Sequence, residues 1–416
     1  MVSRLNTLNN HFGSGNFNGG TCGPKRDDDI VIIGLTRTAM TKAKKGPQRN
    51  TGYEAMLKPC LQGVIKQSGI DPKLVEDICI GNVIAQGSAS TNWRMSMFLA
   101  GYPETTSVHA INRLCSSGLQ AVATIANSIR AGQISIGIGG GCESMSNGNM
   151  QTTVDPNLLS EEVFENPQTQ NCMIPMGITS ENVAEKYGIT REMQDQLAVE
   201  SHEKAVRATQ MGWSAKEITP YKTKVTDKDG NESEVLVEKD DGMRAGTSLQ
   251  SLGKLKPAFK KGGTTTAGNS SQMTDGASCV LLARRDVANK LGCKIIGRFV
   301  SFATAGVPPE VMGIGPAFAI PKALNQAGLK MDDIDVFEIN EAFASQATYC
   351  VQKLGVPKEK LNPRGGALAI GHPLGMTGSR MIVTLMSELE RTNKKFGIVS
   401  MCIGTGMGAA GIFERE

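Results

Sequence analysis

Two cysteines, one histidine and one asparagine sit where backbone turns, not packed faces, would present them. Asn112-Arg113-Leu114-Cys115-Ser116-Ser117-Gly118-Leu119 follows an apolar, β-leaning approach that ends Val108-His109-Ala110-Ile111. A helical pattern leaves it, with Leu119, Val122, Ile125, Ala126 and Ile129 on one face. Cys115 therefore falls at a strand-to-helix junction, where unpaired N–H groups and the helix dipole favour a thiolate. An arbitrary cysteine is most often a buried structural one. Here the tight Ser-Ser-Gly turn would expose the sulfur and bring N–H groups near it, which argues for a nucleophile.

His372 is the candidate base. It stands in Ala369-Ile370-Gly371-His372-Pro373-Leu374-Gly375, where glycines and a proline fix a turn and present the imidazole from backbone. A helix should follow through Ile382, Leu385 and Leu389. The other histidines are less promising: His11 lies near the start, His202 in a polar helical stretch suited to a surface, and His109 in the strand before Cys115. Cys402 ends a strand at the turn Gly404-Thr405-Gly406-Met407-Gly408. A dinucleotide site there is excluded, because too little chain follows for a helix, a second strand and an acidic ribose ligand. Asn340 in Asn340-Glu341-Ala342-Phe343 suits either a helix N-cap or an amide that positions a water or a carbonyl.

The elements that must hold these groups are alternating strands and helices. Ile30-Val31-Ile32-Ile33 reads as a buried strand, followed by a helix through Tyr53–Lys66 and a strand at Ile78–Val83. Ile134–Ile138 enters a glycine turn. From about 145 to 275 the texture is more polar, with a helix over Thr190–Thr209 and a charged stretch, Lys222–Asp241, that reads as solvated surface. The α/β texture returns at Ala277. Asp77–Asn82 then resembles Asp335–Asn340, and Ile134–Ile138 with its glycine turn resembles Gly397–Ser400 with Cys402–Gly406. Two copies of one βαβ-rich plan would set both turn groups at equivalent sheet edges. The division expected is a leader over 1–27, a first half over 28–290 carrying an insertion at about 145–275, and a second half over 291–416.

With 416 residues, 44 Lys+Arg against 40 Asp+Glu gives a net charge of +4, too balanced to indicate a nucleic-acid partner. Ten cysteines form no Cys-x-x-Cys pair, so neither a metal site nor a disulfide framework is signalled. No apolar run is long enough to span a membrane.

Asn-x-x-Cys-Ser-Ser-Gly, Asn-Glu-Ala-Phe, Gly-His-Pro-Leu-Gly and Cys-x-Gly, in this order, resemble the thiolase family. So do Gly141-Cys142-Glu143-Ser144-Met145 and Thr264-Thr265-Thr266-Ala267-Gly268-Asn269, and the likeness runs from Asp28 to Phe413. Met376 departs from the cysteine often found after His-Pro-Leu-Gly. The resemblance implies a five-layered α-β-α-β-α sandwich of two duplicated halves with an inserted loop domain, in a homodimer or tetramer. It implies thiolysis of a 3-ketoacyl-CoA by CoA, with CoA as co-substrate and no permanently bound cofactor or metal. By the same resemblance Cys115 is the nucleophile, His372 its base and the base for the incoming CoA, and Cys402 the proton donor to the departing enolate. Asn340 fixes a water that, with His372, holds the enolate oxygen, while the Cys115 and Gly404 N–H groups form an oxyanion hole. Arg244 and Ser251 fall near the nucleotide end of CoA, with Phe259, Ala267 and Ser271 along the pantetheine channel.

Arg4-Leu5, five residues and then His11-Phe12 resemble an N-terminal peroxisomal targeting signal, which implies an import receptor and a peroxisomal (glyoxysome-type) location. That leader favours the degradative, peroxisomal 3-ketoacyl-CoA group over a biosynthetic acetoacetyl-CoA thiolase. A non-catalytic CoA or lipid carrier is disfavoured by the intact Cys115, His372 and Cys402.

Overall fold

The computed structural model describes residues 22–149 and 154–416. The leader motif from Arg4 to Phe12 lies outside them.

The first half runs β1 (Ile30–Arg37), α1 (Tyr53–Ser68), β2 (Asp77–Gly81), α2 (Ser90–Leu99), β3 (Ser107–Ile111), α3 (Ser117–Arg130) and β4 (Ile136–Ser144). An excursion follows, with α4 (Met176–Tyr187), α5 (Arg191–Gln210) and a hairpin of β5 (Tyr221–Thr226) and β6 (Glu232–Val237). The chain re-enters the sheet at β7 (Thr274–Arg284). The second half comprises β8 (Gly297–Gly306), α6 (Pro316–Ala327), β9 (Val336–Ile339), α7 (Ala344–Leu354), α8 (Leu374–Thr392), β10 (Phe396–Ile403) and β11 (Met407–Arg415).

Strand order is β9-β10-β11-β8-β1-β7-β4-β2-β3. The repeated plan is visible in the pairing: β2 runs parallel to β4, and β9 parallel to β10. The β2–β3 pair of the first half has a rudimentary counterpart in the single parallel bridge Phe337↔Leu361. The two half-sheets join through a short antiparallel contact, Val31↔Arg298 and Ile32↔Gly297.

Apolar periodicity sorts the helices into layers. Met56, Leu57 and Leu61 of α1 pack with Trp93 and Met97 of α2 outside the first half-sheet. Leu119, Val122 and Ile125 of α3 meet Met381, Ile382 and Leu385 of α8 between the sheets. Ala319, Ile320 and Leu324 of α6 pack with Ala344 and Ala347 of α7 outside the second. The result is the five-layered α-β-α-β-α sandwich. The central helices approach at glycine: a Cβ on Gly118 would lie 2.7 Å from the Gly375 carbonyl oxygen, and one on Gly378 2.3 Å from Leu119 N. This contact sets the Cys115 turn beside the His372 turn.

The charged stretch Lys222–Asp241 differs from the expected solvated loop. Lys222–Glu234 and Lys224–Glu232 are exposed cross-strand pairs on the hairpin, but its end is buried. Asp240 accepts both Nη groups of Arg37 at 2.8 and 2.9 Å and the Met40 N–H at 2.8 Å.

Candidate functional site

Cys115 follows Leu114, whose φ of 47° is left-handed and strained for a residue with a side chain. The turn is held by its neighbours. Leu114 N–H donates to Asn112 Oδ1 at 2.9 Å, Arg113 N–H donates to Ser117 Oγ at 2.9 Å, and Ser117 Oγ donates to the Leu114 carbonyl at 2.6 Å. Asn112 is tied in turn to the Val83 carbonyl. Cys115 remains partly exposed at the start of α3. Its own N–H and that of Gly404 are aimed at the sulfur and favour the thiolate, but burial outweighs them and pushes the thiol up to about 11. A thiol held in that range needs a base before it can act as a nucleophile.

The imidazole of His372 is buried, and that burial, reinforced by the Arg380 charge, lowers its pKa to about 3. It is a neutral base whose tautomer is set by one contact. Thr377 Oγ donates its only proton to the Pro373 carbonyl at 3.0 Å, so it accepts from His372 Nδ1–H at 2.6 Å. Nε2 is left with its lone pair. The backbone N–H of His372 donates to the Gln272 carbonyl at 2.9 Å, and Gly371 takes the φ of 97° that the turn requires.

Asn340 closes the other side, with Nδ2 3.4 Å from His372 Nε2. Its backbone N–H donates to the Ser400 carbonyl at 2.9 Å, and its carbonyl accepts from Gln346 Nε2 at 2.9 Å. Its Oδ1 is buried without a partner, placed to accept from a small polar group entering the site. The N-cap alternative fails, because α7 begins at Ala344 with Phe343 as its cap.

Cys402 is fully buried near the end of β10, among Met312 and Ala342 with Met176 and Phe343 packed against them. Burial, and then the nearby Cys115, raise its thiol well above the ordinary range. A proton is held there tightly. Gly404 follows on the turn to β11, where Thr405 and Gly406 carry φ values of 65° and 92°.

The remaining candidates divide into two groups. Phe259 is edge-on to Phe343 at 6.0 Å, Ser271 N–H donates to the Ala342 carbonyl at 3.0 Å, and exposed Ala267 lies in the turn whose Asn269 carbonyl accepts from Ala344 N–H. These three therefore adjoin the Asn340–Phe343 segment. Arg244 and Ser251 are exposed and farther along the insertion. Arg244 lines a cavity of about 190 Å³ with His202, Arg207 and Thr247. Ser251 is occupied in a reciprocal cap with Ser248. His202 is not a surface group: it is 5% exposed, and Nδ1 accepts the Arg244 N–H at 3.1 Å.

Two supporting residues carried no role in the sequence reading. Thr377 fixes the imidazole. Glu143, fully buried, accepts from Asn82 Nδ2 (2.8 Å), Val83 N–H (2.9 Å) and Gly375 N–H (2.9 Å). A carboxylate among glycines in a buried strand was the available signal.

The Thiolase, N-terminal domain model matches residues 30–286, and the Thiolase, C-terminal domain model matches 293–415. The chain belongs to the thiolase family. It is 55% identical over 392 residues to the 3-ketoacyl-CoA thiolase, peroxisomal, of Yarrowia lipolytica, covering 94% of each chain. It is 50% identical to the human protein of that name, covering 93% of this chain and 91% of the other. The solved dimeric peroxisomal thiolase of Saccharomyces cerevisiae superposes with a TM-score of 0.86 at 46% identity, over 94% of this chain and 98% of the other. Among the described residues of this thiolase, no helix is long and apolar enough to cross a membrane.

Proposed function

We propose that this thiolase cleaves 3-ketoacyl-CoA with CoA, giving acetyl-CoA and an acyl-CoA two carbons shorter, as the last step of β-oxidation. The observation that carries the reading is a pair of neighbouring thiols, one partly open and one fully buried, beside a neutral imidazole whose Nε2 keeps its lone pair and has Asn340 Nδ2 at 3.4 Å. A simple acyl transfer needs one nucleophile. Cleaving a carbon–carbon bond also needs a donor for the carbon that leaves.

His372 Nε2 takes the proton of Cys115, and the sulfur attacks the 3-keto carbon. The oxyanion that forms is held by the N–H groups of Cys115 and Gly404, each such donor contributing about 3–4 kcal/mol. Collapse breaks the C2–C3 bond, and its electron pair leaves as the enolate of acetyl-CoA. His372 and a water on Asn340 hold the enolate oxygen while Cys402 protonates C2. The imidazolium then returns a proton to Cys402, and neutral His372 takes the proton of the incoming CoA thiol. That thiolate attacks the acyl-Cys115 thioester, and Cys115 leaves and recovers its proton from His372.

CoA is bound as co-substrate. Arg244 and Ser251 serve its nucleotide end, with the guanidinium suited to phosphate, and Phe259, Ala267 and Ser271 line the pantetheine path. The protein acts in the peroxisome as a homodimer, delivered by an import receptor that reads Arg4, Leu5, His11 and Phe12. Its relatives at 55% and 53% identity are named peroxisomal 3-ketoacyl-CoA thiolases, whereas the solved acetyl-CoA acetyltransferase of Bacillus anthracis is 34% identical. The degradative reading is therefore favoured over synthesis of acetoacetyl-CoA. Thiolysis across a series of 3-ketoacyl chains tests it: cleavage of medium and long chains supports degradation, and activity confined to acetoacetyl-CoA contradicts it.

A further inference from the structure

Helix α8 carries a buried polar stripe. Thr377, Arg380, Thr384 and Glu388 succeed one another at spacings of three and four, so they share a face. Thr377 orients His372, and Arg380 follows one turn later. Opposite lies β9 with Glu338, and Asn340 comes directly after its last residue, two positions from Glu338 and with its N–H on the Ser400 carbonyl, so the pairing continues and the two side chains share a side. Asn340 reaches His372, and Glu338 reaches Arg380.

That second pair is unlike the other buried ion pairs here. Arg37, Arg285, Arg298 and Arg364 each make direct hydrogen bonds to carboxylates. Glu338 Oε2 and Arg380 Nη1 are 3.7 Å apart, too far for one. Both oxygens of Glu338, and Nε and Nη1 of Arg380, have no hydrogen-bond partner, although both side chains are 1% exposed. Such a pair is poor value for stability. Its position next to the catalytic base offers another reason for it.

We propose that Glu338 is a positioning residue of the thiolase reaction: ionised, it offsets the Arg380 charge and so allows His372 to accept the Cys115 proton. This rests on the proposed roles of Cys115 and His372. Each half-reaction forms an imidazolium near Arg380, and an uncompensated guanidinium there opposes it. Glu338 titrates accessibly: burial raises it to about 8, with Arg380 pulling the other way. The other charged groups facing the pair are Glu388 on α8, Glu341 just past β9, Glu217 with Arg37 and Asp240, and Lys204 on α5.

The test is the pH dependence of kcat and KM for thiolysis by the full chain and its Glu338→Gln, Arg380→Met and double variants. The wild type should show kcat rising as pH passes about 8, when Glu338 ionises. Glu338→Gln should lose that rise and lower kcat by about tenfold or more, with KM for CoA within about twofold. The double variant, lacking both charges, should recover most of the lost kcat and stay flat through that range. A wild-type profile without the rise, an unchanged profile in Glu338→Gln, or a double variant no better than Glu338→Gln overturns the proposal. If Glu338→Gln does not fold, the double variant decides: activity without the rise supports the proposal, and a retained rise overturns it. A wild-type chain with no thiolysis would instead fail the catalytic reading, which Cys115→Ala addresses separately.

Discussion

Gly375, three residues after His372, donates its N–H to Glu143 Oε2 at 2.9 Å, joining the His372 turn to a strand of the opposite half. The same carboxyl accepts from Asn82 and Val83, so one buried side chain fixes both walls of the site. A Cβ on Gly141 would lie 2.0 Å from the Gly375 oxygen, which shows how closely the two segments approach. Glu143→Gln would turn an amide NH₂ toward these donors. Expected is a loss of about 1–3 kcal/mol in denaturant unfolding, with kcat falling as the His372 turn shifts; an unchanged midpoint would refute the bracing role.

Thr377→Val keeps the shape of the side chain but leaves His372 Nδ1–H without an acceptor. The imidazole then loses its fixed tautomer, and kcat should fall about tenfold or more with KM little changed. Thr377→Ser should restore most of the loss. Equal kcat in the valine and serine variants would remove Thr377 from the mechanism.

Cys402→Ala removes the proposed donor to the departing carbon. Turnover should drop by about 10²–10⁴-fold while CoA binding by calorimetry is retained. A wild-type rate in this variant would mean that another group protonates the enolate.

His202 is lowered to about 4, first by burial and then by the Arg244 charge. Folded, it stays neutral and accepts the Arg244 N–H; unfolded, it binds a proton below about 6.5. The unfolded state thus binds more protons between those values, and stability falls as pH drops from 6.5 toward 4. His202→Gln should flatten the decline in Tm over that interval. A decline as steep as the wild type's would assign it to other groups, such as His372, which is shifted in the same direction.

The chemistry of this chain was more legible than its supports. Cys115 and His372 stand in short turns beside glycine or proline, Cys402 comes just before a glycine turn, and Asn340 ends a strand, each a local signature. The duplication showed in Asp77–Asn82 and Asp335–Asn340, because equivalent strands face equivalent burial. What stayed hidden depends on partners remote in sequence. Asp240 in a charged run reads as solvated until Arg37, 203 residues away, is seen to bind it. His202 looks superficial until the Arg244 backbone covers it. The burial that raises the Cys115 thiol is likewise reported by no local pattern.

Gly118→Ala would place a Cβ 2.7 Å from the Gly375 oxygen and 2.9 Å from Ser379 N, both in the facing helix. The central helices must part to accommodate it. A destabilisation of about 1–3 kcal/mol is expected, with a larger loss of kcat than Gly132→Ala, which strains a left-handed φ of 74° but meets no neighbour within 4 Å of the added Cβ. Equal effects on kcat at the two sites would sever helix spacing from catalysis.

The central claim is that the acyl group passes through Cys115. The most direct measurement is intact-protein and peptide mass spectrometry after mixing the full chain with a medium-chain 3-ketoacyl-CoA in the absence of free CoA. The account predicts one shortened acyl group per chain, on Cys115, with one equivalent of acetyl-CoA released, and loss of the adduct when CoA is added. Release of acetyl-CoA with no adduct on Cys115, or with the acyl group carried by another residue, would contradict it.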